Sequence, residues 1–237
     1  MNQSTHLRTA PGGSLVSAGA WFWLAFLLAQ MVGCARIYRP ITVAPAPISV
    51  TPGEVRSSVQ LQPWGDNSRY MDRAHREGVQ MLVLTVTNGT DHPVRVTLDP
   101  EPVQGHWLSP GQAHALVQQS RMGFALYPIG SLAVFPPGQT GAWSALANAI
   151  SAISFGATLT IALSNAAVAN SSNRKLEAFF LQNAWTDGEI PSAESRRGLL
   201  WFRPFRPLRA PATVRLRVVD AQGSRVLEVP VPEASAQ

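Results

Sequence analysis

A chain of 237 residues, 46% hydrophobic and 14% charged, is long and apolar enough to bury one sizeable core, which excludes a wholly disordered polymer. Its 19 Lys and Arg against 14 Asp and Glu leave a formal charge of +5, a mild excess that suits anionic headgroups or cell-wall polymers without dominating binding. A single cysteine excludes an intramolecular disulfide.

Residues 1–14 are polar with one basic side chain, Arg8, and no charge occurs from Leu15 to Val32. The densest apolar run, Ala18 to Ala29, is shorter than the ~20 residues that a bilayer core requires. A basic start, a short apolar middle and small residues ahead of a cut describe an export signal over residues 1–33. The cysteine follows at once, in Met31-Val32-Gly33-Cys34. This resembles the lipobox of bacterial lipoproteins, with Met31 standing where Leu is usual. The resemblance implies a diacylglycerol thioether on Cys34, cleavage just before it, and acylation of the new amino group. A thiolate is a strong nucleophile, and small Gly33 leaves a protease room. Two or three acyl chains, at ~0.8 kcal/mol per buried CH₂, hold a protein stably on a membrane. Ala35 stands where many inner-membrane lipoproteins carry Asp, so the resemblance further implies the outer membrane, facing the periplasm.

Residues 34–63 read as a tether, because Pro40, Pro45, Pro47 and Pro52 interrupt regular pairing. At ~3.1 Å per residue the part up to Pro52 would lift a domain on the order of 50 Å from the bilayer. Alternatively Ile41, Val43, Ile48 and Val50 form a first strand. A single domain is expected over 64–232, with a tail at 233–237. It begins with a short helix from Asp66 to Glu77, braced by Asp72–Arg76 and Arg73–Glu77 at i,i+4 and ended by Gly78. From Val79 to Thr87 both faces are apolar enough for an interior strand. Asn88-Gly89-Thr90-Asp91 supplies a turn, and Pro93 to Leu98 returns as the second arm of a hairpin. Ser131–Phe135 and Gly198–Phe202 are further short strands. A closing hairpin pairs Val214, Leu216 and Val218 with Val226–Val231 through Asp220-Ala221-Gln222-Gly223. Short strands separated by turn chemistry predict a mainly β fold, a sandwich or a barrel, and an antiparallel sandwich is the expectation adopted. The stretch from Leu82 to Val96 resembles the Ig-like modules of bacterial envelope proteins. That resemblance covers well under a third of the chain.

No charge occurs from Met122 to Asn173. Trp143, Leu146, Ala147, Ile150, Ile153 and Ala157 follow helical spacing, and Leu176, Phe179 and Phe180 repeat it, which predicts a helical insertion at about 142–183. A membrane-spanning role for 143–168 is opposed by Ser144, Asn148, Ser151, Ser154, Thr158, Thr160, Ser164 and Asn165, all costly in lipid. Packing on one side of the sheet is the expectation.

The sequence carries no Gly-x-Ser-x-Gly elbow, no phosphate loop and no His-Glu-x-x-His helix. No catalytic residue, metal site or cofactor is expected. His75, His92, His106 and His114 read as loop residues, and Asp187 with Glu189 as a solvated turn. The distinctive stretch is Arg197 to Arg209, where Arg197, Arg203, Arg206 and Arg209 interleave with Trp201 and Phe205. Arginine beside aromatics suits phosphate-bearing or glycan partners. Nucleic acid is not expected, since an exported protein rarely meets it. The expectation is therefore a lipid-anchored, non-catalytic binding or assembly module acting on an envelope protein, lipid or cell-wall partner. The alternatives are a component of a membrane-spanning envelope or secretion complex that uses 143–168, and a cell-wall hydrolase.

Overall fold

The computed structural model describes residues 35–43, 52–102, 104–120, 142–205 and 212–232, with the backbone alone over 142–154. Outside the described residues lie the expected export signal at 1–33, Cys34, the expected strand Ser131–Phe135, Arg206, Arg209 and the expected tail at 233–237. The chain divides into two units, residues 1–35 with 122–165 and residues 36–121 with 166–237.

The second unit is a β-sandwich. Its strands are β1 (Val55–Leu61), β2 (Gln80–Asn88), β3 (Val94–Leu98), β4 (Gly105–Leu108), β5 (Gly188–Ile190), β6 (Ser195–Pro204), β7 (Thr213–Asp220) and β8 (Gly223–Pro230). Among the described residues they form two antiparallel sheets, ordered β1-β2-β6-β4 and β5-β3-β7-β8. The first three and last three strands take the places of A, B, C and E, F, G in an Ig-type sandwich. β4 and β5 fill the D and C′ places, but in reversed sequence order.

Strand β2 shows why the first sheet is interior. Leu82, Leu84 and Val86 meet Val94, Val96, Val214, Leu216 and Val218 of the opposite sheet. Its other face, with Met81 and Val83, joins Leu199 and Trp201 under a helical layer. A strand covered on both sides must be apolar at every step, as this one is from Met81 to Val86 apart from Thr85. The second sheet alternates instead: Val94 and Val96 are buried while Arg95 and Thr97 are exposed. A fully buried Leu contributes roughly 1.5–3 kcal/mol.

The helical layer comprises α1 (Ser68–Glu77), α2 (Pro110–Val117) and the last part of α3 (Ala142–Asn183). α1 ends as expected at Gly78, in left-handed geometry at φ 68°. The expected brace does not form. The Arg73 guanidinium donates to the Gln118 carbonyl, and Glu77 pairs with Arg203 at 3.7 Å. Tertiary partners displace exposed i,i+4 pairs, which are weak. α2 went unread, although Ser109-Pro110-Gly111-Gln112 carries a capping box with Pro at the first helical position. In the second unit, α3 buries Ala169, Ser172, Asn173, Leu176 and Phe180, one helical stripe.

The first unit contributes Ala35 and residues 142–165 of α3 to the described structure. Thr158, Ala162 and Asn165 are buried there, while Ala157, expected on the covered face, is exposed. The side chains from Trp143 to Ile153 lie outside the described residues. Among the described residues no helix is long and apolar enough to cross a membrane.

Two expectations need correction. β2 and β3 are not a hairpin, because they lie in opposite sheets. The connecting arch is held by Asn88, which is fully buried. Its Nδ2 donates to the carbonyls of His92 (2.8 Å), Ile190 (3.0 Å) and Pro191 (3.1 Å), and its Oδ1 accepts from Thr90 N (3.0 Å) and Oγ1 (2.6 Å). A two-residue hairpin has no need of an amide reaching across 102 residues to Ile190.

The segment 34–63 is not a tether throughout. Val55–Leu61 is the edge strand β1, and residues 36–42 are clamped to the domain. Gln119 accepts from Arg36 N (3.2 Å) and donates to Arg36 O (2.8 Å); Asn67 does the same for Arg39, at 2.9 Å both ways. Ser172 accepts from Tyr38 N, and Gln62 donates to Thr42 O. Side-chain amides thus supply the partners that a neighbouring strand would give an extended segment. Tyr38 and Ile41 are buried beside Trp64, Tyr70 and Phe180.

Candidate functional site

The edge of the first sheet is notched. β4 pairs with β6 only as far as Leu108 opposite Trp201. Beyond it Ala184 makes a parallel bridge to Leu199, and Trp185 N donates to Leu199 O at 2.9 Å. The 184–185 segment crosses the sheet edge here: Ala184 packs with the helix-side cluster and Trp185 with the sandwich interior. The crossing requires Gly198, since a Cβ there would lie 2.4 Å from the Trp185 Cα.

Between β4 and this segment opens a cleft of about 370 Å³, walled by Trp107, Trp185, Trp201 and Leu108, with Leu98 and Asp187 at its margin. Its polar groups are fixed. Asp187 Oδ1 accepts from Trp185 Nε1 and from Leu98 N, each at 2.9 Å, and Trp107 Nε1 donates to Asp99 O at 3.0 Å. Trp201 Nε1 is buried and has no hydrogen-bond partner among the described residues. An unpaired buried N–H costs about 1–3 kcal/mol. Three indoles and a held carboxylate suit a ligand with an apolar face and hydrogen-bonding groups at its rim.

Among the described residues of the Arg-aromatic stretch, the arginines and aromatics do not share one exposed face. Trp201 is buried, its ring 4.7 Å from that of Phe180. Strand pleating puts Arg197, Leu199, Trp201 and Arg203 on one face, so a covered core section separates the two arginines. Six residues of strand set them roughly 20 Å apart. Arg203 is exposed and faces Glu77, Arg197 is exposed, and Phe205 is half exposed with its ring edge-on to His106 at 4.7 Å. Arg206 and Arg209 lie outside the described residues. Trp201 therefore belongs to the cleft wall.

His75, His92, His106 and His114 sit on separate elements, and among the described residues no three metal-ligating side chains come together. Sequence reasoning missed Trp107 and Trp185. The available signal was Gly198 within a strand, at the head of its apolar run Leu199–Phe202, which marks a close backbone approach. Asp187, expected in a solvated turn, ties the Trp185 indole to the Leu98 backbone. Comparison with protein-family models, with curated proteins and with solved structures finds no match to this chain.

Proposed function

We propose that the chain is the precursor of a lipid-anchored envelope lipoprotein whose sandwich is a non-catalytic binding or assembly module. The position of Cys34, the single cysteine, directly after Gly33 supports the anchor, and Ala35 favours the outer membrane with the domain facing the periplasm. The observation that carries the binding role is the tryptophan-walled cleft, in which a backbone N–H holds the Asp187 carboxylate, that carboxylate holds the Trp185 indole, a backbone carbonyl holds the Trp107 indole, and Gly198 admits the Trp185 backbone. A preorganised wall loses little side-chain entropy on binding. The partner is an envelope protein, lipid or cell-wall polymer, met through this cleft, with Arg197, Arg203 and Phe205 as outlying contacts.

Metabolic labelling with a fatty-acid analogue marks the wild type and not Cys34→Ser if the anchor is right; equal labelling of both removes it. Replacing Trp185 by Ala lowers capture of envelope material by the isolated domain at least tenfold if the cleft binds. Unchanged capture returns the cleft to a structural role. Retention of a chain lacking residues 1–34 in membranes after an alkaline carbonate wash would favour the alternative, a membrane-spanning complex.

A further inference from the structure

Ile37 is the most exposed large apolar side chain among the described residues, at 68%. Single exposed apolar residues are ordinary and carry no message alone. Its backbone is the unusual part. Arg36 and Arg39 on either side are each gripped at both N–H and C=O, by Gln119 and Asn67, and Tyr38 between them is tied by Ser172 and buried. Burial with a hydrogen-bonded backbone turns Tyr38 and Ile41 inward and leaves Ile37 outward on a segment that cannot swing. Arg36 and Arg39 are exposed beside it. Arg36 donates to Ser68 Oγ at 3.0 Å, and Asp66, at 2.7 Å from Arg39, offsets one of the two charges.

Cys34 precedes Arg36 by two residues, so its Cα lies within about 7 Å of the Arg36 Cα whatever the conformation between them. Resting on the proposal that Cys34 carries lipid, we infer that Arg36, Ile37 and Arg39 form a membrane-contact surface. It seats this end of the sandwich unit on the headgroups of the bilayer that holds the acyl chains. The occupant is fixed by covalent reach. A bilayer that receives the chains on residue 34 meets residues 36–39 before any other described part of this unit, because no slack chain intervenes. The chemistry agrees: an apolar side chain flanked by arginines enters the headgroup region while the guanidinium groups meet lipid phosphates. The ~50 Å reach of a tether is replaced by contact.

The test uses the processed protein reconstituted in vesicles of phosphatidylethanolamine and phosphatidylglycerol. A nitroxide is placed at Ile37→Cys, and a reference at Ala221→Cys in the β7–β8 turn, with Cys34 blocked by its own lipid. Accessibility to lipid-soluble oxygen is compared with accessibility to a water-soluble nickel chelate, and the mass of the same sample reports lipid on Cys34. The expected result is at least a threefold higher oxygen-to-nickel ratio at 37 than at 221. Lipid present with equal ratios at the two positions overturns the contact surface and spares the anchor. Exclusion of both reagents at 37 means that protein covers it, which overturns the inference as well. A chain with no lipid on Cys34 overturns the anchor, and the inference falls with it.

Discussion

Replacing Asn88 by Ala tests the arch that turns the chain from one sheet to the other. Truncation removes every hydrogen bond of the side chain. Two of the groups left behind, the Thr90 N–H and the Ile190 carbonyl, make buried bonds to it. The Thr90 hydroxyl keeps His92 O, and the remaining partners are only part-buried. At about 1–3 kcal/mol for each orphaned buried group, the loss is roughly 2–6 kcal/mol. That is a large share of the ~5–15 kcal/mol that holds a domain together. With a urea m-value of ~2.5 kcal/mol/M, a loss near 4 kcal/mol moves the midpoint down by about 1.6 M. The assay is urea unfolding of the chain from residue 35 onward, followed by tryptophan emission, with exposed Thr97→Ala as the reference. Asn88→Asp adds a sign: its carboxylate would face three carbonyl oxygens, raising its folded pKa above the ~3.9 of the unfolded chain. Its stability is therefore highest below pH ~4 and falls as pH rises through the folded value. A loss below about 1 kcal/mol for Asn88→Ala would refute the claim that this amide holds the arch.

Gly198→Ala, which sets a methyl against the Trp185 backbone, costs about 1–3 kcal/mol in thermal denaturation and shifts tryptophan emission. Gly111→Ala in α2 meets nothing within 4 Å and leaves the midpoint unchanged or higher. Leu84→Ala costs roughly 2–5 kcal/mol in urea unfolding, whereas Leu181→Ala, 61% exposed, stays within about 0.5 kcal/mol. Burial raises the phenol pKa of Tyr38 and of Tyr70 above the ordinary 10.0. Their contribution to stability is complete below pH 10 and is lost as pH rises through the folded values. Tyrosinate absorbance should therefore appear at these two sites together with alkaline unfolding, and a titration complete before unfolding would contradict the burial.

Periodicity made the sandwich legible. The interior strand after Val79, the closing hairpin and the insertion at 142–183 each follow from local spacing of apolar residues, which needs no knowledge of distant partners. β4 and β5, of four and three residues, carry too little pattern to register. β1 was masked by the prolines around it, and α2 hid in a segment read as a loop.

What the sequence alone determined is what depends on near neighbours: the export-like apolar run ending at Cys34, the strand and helix periods, and the Gly78 cap. Tertiary structure decided which of those elements face each other. It sent β2 and β3 to opposite sheets through Asn88 and put Trp201 in a wall instead of on a surface. It also drew Gln119, Asn67 and Ser172 onto the residues that follow Cys34. An isolated Asn or Gln in a sequence carries no address, because its amide can pair with any peptide group that folding brings within about 3 Å. The partner is chosen only when the core has set the distance.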